Sequence, residues 1–165
     1  MEENEIRLER IIKAPIDHVF RFLAESEKLE RWFYTDCSFD ADERTFSFWF
    51  VPSASNGKDS RCFGTILRLE PSDRVILEWS DGEFESTVEF CLKVVSNRCT
   101  FLSLIHNNWS ENGKFARIKQ KNQWDFYLDN LRRVAEGGTD LRETFYSQTV
   151  RRKSNSLVAD LNVPD

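Results

Sequence analysis

Cysteine and histidine are too few and too scattered to build a metal site. Cys37, Cys62, Cys91 and Cys99 form no C-x-x-C pair, and His18 and His106 are the only histidines, so nothing stands at zinc-ligand spacing. Isolated cysteines within apolar stretches are expected to be buried free thiols; a bridge between Cys91 and Cys99, which flank one predicted hairpin, is the alternative. Long apolar runs are missing as well. The longest, around residues 48–51 and 101–105, are strand-sized, far below the roughly 20 residues that cross a bilayer. The chain has no large basic block: 23 Lys+Arg stand against 28 Asp+Glu for a net charge of −5. The cluster Arg151-Arg152-Lys153 is too small for a nucleic-acid or membrane patch, so neither partner is expected. Gly57 and Gly113 are lone turn glycines with no phosphate-cradling pattern, and no Ser or Cys sits in a glycine-flanked elbow, which leaves nucleophilic catalysis without a motif. The opening Met1-Glu2-Glu3-Asn4-Glu5 is acidic where a secretory leader is basic and then apolar, so a cytoplasmic location is expected.

What the chain does have is ring surface. Of 165 residues, 14 are Phe, 5 Trp and 3 Tyr, with 40% apolar and 31% charged; one domain with one core accommodates this, and a ring-lined site is worth seeking. Residues 6–12 alternate as a strand that Ala14-Pro15 ends, since proline lacks a ladder N–H but suits a first helical turn. Helical spacing of Val19, Phe20, Phe22 and Leu23 predicts a short helix over 15–24, and Ser26 is placed to cap a second, with Leu29, Trp32 and Phe33 on one face. The period then changes to two. Strands are predicted around 46–50, 63–69, 75–79, 87–94 and 100–106, separated by the turn-forming stretch 52–60, Pro71-Ser72-Asp73, Asp81-Gly82 and Ser96-Asn97. The last helical pattern, 114–135, carries Phe115, Ile118, Trp124, Leu128, Leu131 and Val134 as an apolar stripe, stopped by Gly137-Gly138. Residues 1–138 thus read as one domain, and 139–165 as an extension, partly docked or disordered.

Six stretches in this order carry a resemblance. They are Ile12-Lys13-Ala14-Pro15-Ile16-Asp17-His18-Val19-Phe20, Glu27-Lys28-Leu29-Glu30-Arg31-Trp32-Phe33, Phe63-Gly64-Thr65-Ile66, Val75-Ile76-Leu77-Glu78-Trp79, Thr100-Phe101-Leu102-Ser103-Leu104-Ile105-His106 and Gln123-Trp124-Asp125-Phe126-Tyr127-Leu128-Asp129-Asn130-Leu131. The series resembles the START/Bet-v-type helix-grip superfamily (SRPBCC), in the branch named after the activator of the heat-shock-protein-90 ATPase. The resemblance implies an α+β fold. A curved antiparallel sheet of about six strands wraps a long C-terminal helix, two short helices follow strand 1, and a cavity lies between sheet and helix. It does not select a function, because the superfamily includes lipid carriers, hormone receptors, cyclases and chaperone cofactors.

The residues expected to line or rim that cavity are Trp32, Phe48, Phe50, Leu77, Trp79, Phe90, Leu104, Trp109, Trp124 and Leu128; the alternative is that these side chains simply fill a core. His106 falls on the same side of the last strand as Leu102 and Leu104. It either orients a ligand there or is satisfied by Asn107, Asn108 or backbone. Glu78 is expected on the wet face, and Asp125 and Tyr127 at the edge of the helix stripe. Three functions follow: a carrier or sensor of a hydrophobic or aromatic small molecule, a chaperone-ATPase cofactor working through its exterior, and a cyclase- or hydrolase-type enzyme using His106 with a pocket carboxylate. No cofactor or metal is expected. An exposed edge strand would let two copies pair as a homodimer.

Overall fold

The computed structural model describes residues 5–50, 60–110 and 114–142, with side chains in the last stretch from Arg117 onward. Strand β1 (Ile6–Ile12) leads into helices α1 (Ile16–Ala24) and α2 (Ser26–Leu29). Six strands follow: β2 (Asp36–Asp40), β3 (Thr45–Phe50), β4 (Ser60–Glu70), β5 (Arg74–Ser80), β6 (Glu85–Ser96) and β7 (Cys99–Asn107). Helix α3 (Lys114–Ala135) comes last. The seven strands form one antiparallel sheet in the order β1-β7-β6-β5-β4-β3-β2, and α3 lies against it with its closest approach to β1.

Period-two alternation decides which side chains meet the helix. Val75, Leu77 and Trp79 of β5, Val88, Phe90 and Leu92 of β6, and Thr100, Leu102, Leu104 and His106 of β7 are all buried on the concave face. Trp124, Leu128, Leu131 and Val134 of α3 close over them, each fully buried large apolar side chain contributing about 1.5–3 kcal/mol. Arg10 projects from edge strand β1 toward α3. Its guanidinium takes Asp125 and Asp129, each at 2.9 Å, and so clamps one sheet edge to the helix.

Gly64 is dictated by packing. It has φ +157°, and a Cβ there would stand 1.8 Å from the Glu78 carbonyl oxygen; only a residue without Cβ lets β4 approach β5 this closely. Two residues further on the β4–β5 register shifts between Ile66 and Arg68, leaving Leu67 as an extra, exposed residue that bends the strand.

The structure departs from the sequence reading in several places. The sheet has seven strands rather than six, the additional one being β2. Helix α2 ends at Leu29, so Trp32 and Phe33 are buried beyond it rather than on its face. Ser26 does not cap α2: Glu25 is the N-cap residue, and the Ser26 hydroxyl accepts the Phe39 N–H (2.9 Å). Glu30 Oε2 accepts the Cys37 N–H (3.0 Å), so α2 and its exit block two amides of β2. Strand β1 is blocked similarly, with Lys13 N–H given to Glu136 (2.7 Å) and Glu9 C=O taken by Arg10. These side chains cover part of each open strand edge. Val94 and Ile118, expected in buried stripes, are 63% and 51% exposed. Cys91 and Cys99 pair with Ser103 and Ser96 respectively, and both are free thiols. The turn segment at 52–59 and the stripe residue Phe115 lie outside the described side chains, as does the tail from 143 onward.

Candidate functional site

The interior beneath α3 is built from rings. Trp79 comes from β5, Phe46 and Phe48 from β3, Phe90 from β6 and Trp124 from α3, while Phe33 and Tyr34 enter from the segment between α2 and β2. Phe33 is the hub. Its ring lies parallel to Trp124 (5.4 Å, 1°) and to Tyr34 (4.3 Å, 12°), with Tyr127 (4.9 Å), Phe48 (5.5 Å) and Trp79 (6.2 Å) around its edges. These are contact distances. Around Phe33, then, the space between sheet and helix is occupied by protein side chains.

Each residue expected at the site lies on this side of the sheet. Trp32, Phe48, Leu77, Trp79, Phe90, Leu104, His106, Trp124 and Leu128 are buried, and Phe50 and Trp109 are half-buried at its margin. Trp32 turns its indole N–H to the Phe22 carbonyl (2.7 Å), which ties the segment after α2 to α1. Tyr127 packs half-buried against the same rings, Asp125 binds Arg10 and Glu78 faces solvent, as their positions in the pattern suggested.

His106 is satisfied by partners that its chain neighbours do not supply. Trp124 Nε1–H donates to His106 Nδ1 (3.0 Å), and His106 Nε2 is 2.7 Å from Ser86 Oγ. An indole nitrogen only donates, so Nδ1 carries no proton; the neutral ring holds its hydrogen on Nε2 and donates it to the serine. Trp109 stacks on the imidazole at 4.3 Å. Burial lowers the histidine pKa from near 6.5 to about 3, because a charged ring here would lose solvation and gain no counter-charge. Both nitrogens are engaged and no carboxylate bonds to the ring among the described residues. Its two hydrogen bonds hold His106 as a neutral ring. Burial also pushes the Cys37 and Cys62 thiols up to about 12 and the Tyr34 phenol well above its ordinary value, so these groups are uncharged and unreactive. Among the described residues no three His, Cys, Asp or Glu side chains are grouped to hold a metal ion, and no helix is long and apolar enough to cross a membrane.

The lip of the ring cluster is held from the C-terminal side. Asn130, fully buried, donates to the Trp32 carbonyl (2.9 Å) and to Asp140 (3.0 Å), and accepts the Leu141 N–H (2.7 Å). Arg142 pairs with Asp140 and donates to the carbonyls of Glu30 (2.6 Å) and Phe33 (2.5 Å). Although burial alone would raise the Asp140 pKa, its hydrogen bonds from Arg142 outweigh that and hold it below its ordinary value. Residues 139–142 thus form a strap over the segment that carries Phe33 and Tyr34.

Phe33, Tyr34, Phe46 and Ser86 also belong to this constellation; Phe46 shares the inward side of its strand with Phe48, and Phe33 was expected on one face with Trp32, so the sequence fails to single out only Tyr34 and Ser86. Tyr34 lies in irregular chain where no period assigns a face. Ser86 is a small polar residue at a strand start, and only the β6–β7 register, with Val88 opposite His106, brings it near the imidazole.

The profile of the family described as "Activator of Hsp90 ATPase homolog 1-like protein" matches residues 13–136. No curated protein sequence matches the chain. Among solved structures, DynU16, a putative protein in the dynemicin biosynthetic locus, superposes with TM-score 0.69 at 19% identity, over 83% of this chain and 49% of its own. The present chain therefore spans about half the length of that relative. The Aha1 dimer from Colwellia psychrerythraea gives 0.60 at 22% identity, over 80% and 96%. PFC0360w, an HSP90 activator from Plasmodium falciparum, gives 0.60 at 21%, over 78% and 93%. At such identities the likeness shows the helix-grip fold, whose open antiparallel sheet and C-terminal helix this chain shares. Together with the profile, which covers most of the chain, it establishes that this protein belongs to the Activator of Hsp90 ATPase homolog 1-like family of the SRPBCC superfamily.

Proposed function

We propose that this protein binds a flat or apolar small molecule between α3 and the concave sheet face, and holds it without transforming it. The observation supporting this reading is the seat of Phe33, a single ring between two parallel rings, Tyr34 and Trp124. A planar guest would take the same seat. Phe33 sits outside the strands and helices, on a segment fastened by Arg142 and Asn130, so a guest enters this seat when that fastening opens. Because a guest replaces a protein ring, only the area it buries beyond a phenyl ring adds to affinity, at roughly 25 cal/mol per Å² before association costs. Larger polycyclic or long-chain molecules are therefore favoured over benzene-sized ones. Titration of intrinsic tryptophan fluorescence with fatty acids, sterols and flavonoids tests this, since Trp79 and Trp124 both border the seat. A saturable change with at least one class is expected, and Trp79→Ala weakens it; a flat response to all three classes refutes the reading.

A second reading, cooperation with a chaperone ATPase, is favoured by a different feature on the convex face. Arg61 lies between Trp49 (4.7 Å) and Phe63 (4.5 Å) on the outward side of β3 and β4, and aromatic–arginine clusters of this kind anchor protein interfaces. Co-purification with the chaperone and its ATPase rate, measured with and without Arg61→Ala, test it. Stimulation with no small molecule present, lost in that variant, would support it.

A further inference from the structure

The half-buried margin at Trp109 contains a charge that no described residue neutralises. Arg117, in the first turn of α3, has its guanidinium carbon 6.0 Å over the Trp109 ring, and its Nη1 is buried with no hydrogen-bond partner among the described residues. Among the described residues it makes no ion pair, whereas Arg10, Arg74, Arg132 and Arg142 each do. The other buried nitrogen lacking a hydrogen bond, Arg74 Nε, already lies 3.3 Å from Glu89 on the outer face. Arg117 thus stands apart: a buried donor of a permanent cation normally has an acceptor. Water can serve it in the free protein. A carboxylate would serve it better, matching the planar fork with two charge-assisted hydrogen bonds.

Position links this orphan to the proposed seat. Arg117 and Trp124 are seven residues apart on α3, two turns, and therefore share a face at about 10 Å separation. The contacts Arg117–Trp109, Trp109–His106 and His106–Trp124 run without a break between them, and Trp124 stacks on Phe33. One end of this track is cationic; the rest is apolar or made of neutral rings.

We propose that the ligand is an amphipathic carboxylic acid, its carboxylate bound by Arg117 beside Trp109 and its apolar body directed along α3 toward the Phe33 seat. This rests on the small-molecule reading above and specifies it. The experiment compares dodecanoate with dodecanol, followed by tryptophan fluorescence and calorimetry, on the full chain and on Arg117→Gln and Arg117→Lys, with far-UV circular dichroism confirming that each variant is folded. Dodecanoate should bind the parent protein about tenfold or more tightly than dodecanol, the size expected of a charged hydrogen bond. Arg117→Gln should erase that preference, with dodecanoate losing far more affinity than dodecanol, and Arg117→Lys should keep part of it. Equal affinities in the parent, or a preference that survives in Arg117→Gln, would overturn the carboxylate assignment and leave small-molecule binding standing. Failure of both compounds to bind, joined to a flat response to sterols and flavonoids, would overturn the underlying reading itself.

Discussion

His106 shows how much the identity of a hydrogen-bond partner decides. A histidine on an inward strand position suggests acid–base chemistry until its neighbours are known; an indole N–H on Nδ1 and a serine on Nε2 make it a neutral strut. The consequence for stability has a definite sign. Unfolded imidazole takes up a proton near pH 6.5 and the folded ring only near 3, so the unfolded chain binds more protons between those values. Stability is full above pH 6.5 and declines as pH falls toward 3, by up to about 1.4 kcal/mol per pH unit from this group. Urea unfolding from pH 7 to pH 4 should therefore show a smaller loss for His106→Gln than for the parent; equal losses would exclude His106 as the responsible group. Nitrogen NMR should report the Nε2–H tautomer in the parent, and Trp124→Phe, which removes the donor to Nδ1, should raise the histidine pKa. At Gly64 the limit is steric. Gly64→Ala puts a methyl inside van der Waals distance of the Glu78 carbonyl, and a loss on the order of 2–4 kcal/mol is expected by thermal unfolding.

At the scale of elements, the alternation of β5, β6 and β7 and the apolar stripe of α3 were legible because each buries one face over several periods. Strand β2 was not. Its five residues alternate exposed and buried, but Asp36, Ser38 and Asp40 give it the composition of a loop, and its outer edge is completed by Ser26 and Glu30 from α2 and its exit. A strand whose pairing depends on side chains from another element carries little local signal. Ser26→Ala leaves the Phe39 amide without its acceptor and should cost about 1 kcal/mol in denaturant unfolding. It should also raise self-association in sedimentation velocity, because the edge is then open. The strap behaves likewise. Arg142→Ala removes donors to Glu30 and Phe33 and the partner of Asp140, a loss of about 1–3 kcal/mol, and faster amide exchange should be concentrated in 30–34. Exchange unchanged there would mean the strap does not hold the lip.

Across the whole molecule, stability should follow the depth of side-chain burial. The interior strands β5, β6 and β7 and the second half of α3 supply the side chains with the least exposure, whereas β2 has one strand neighbour and five residues. Native-state hydrogen exchange should find the slowest amides in β7 and in α3 around Leu128 and Leu131, and the fastest strand amides in β2. The site was legible to the same degree and for the same reason. Ring residues on periodic elements, such as Trp79 and Trp124, were assigned to the right side. Tyr34 owes its role to chain that has no period, Ser86 to register between strands, and Arg117, although on α3, to its contact with Trp109; only three-dimensional placement reveals them.

The family profile stops at residue 136, and the fastening made by Asp140 and Arg142 comes after it. A chain ended at residue 136 would keep every strand and helix described above yet release the stretch bearing Phe33. Comparison of long and short versions would show whether this protein has acquired its own latch on a common architecture.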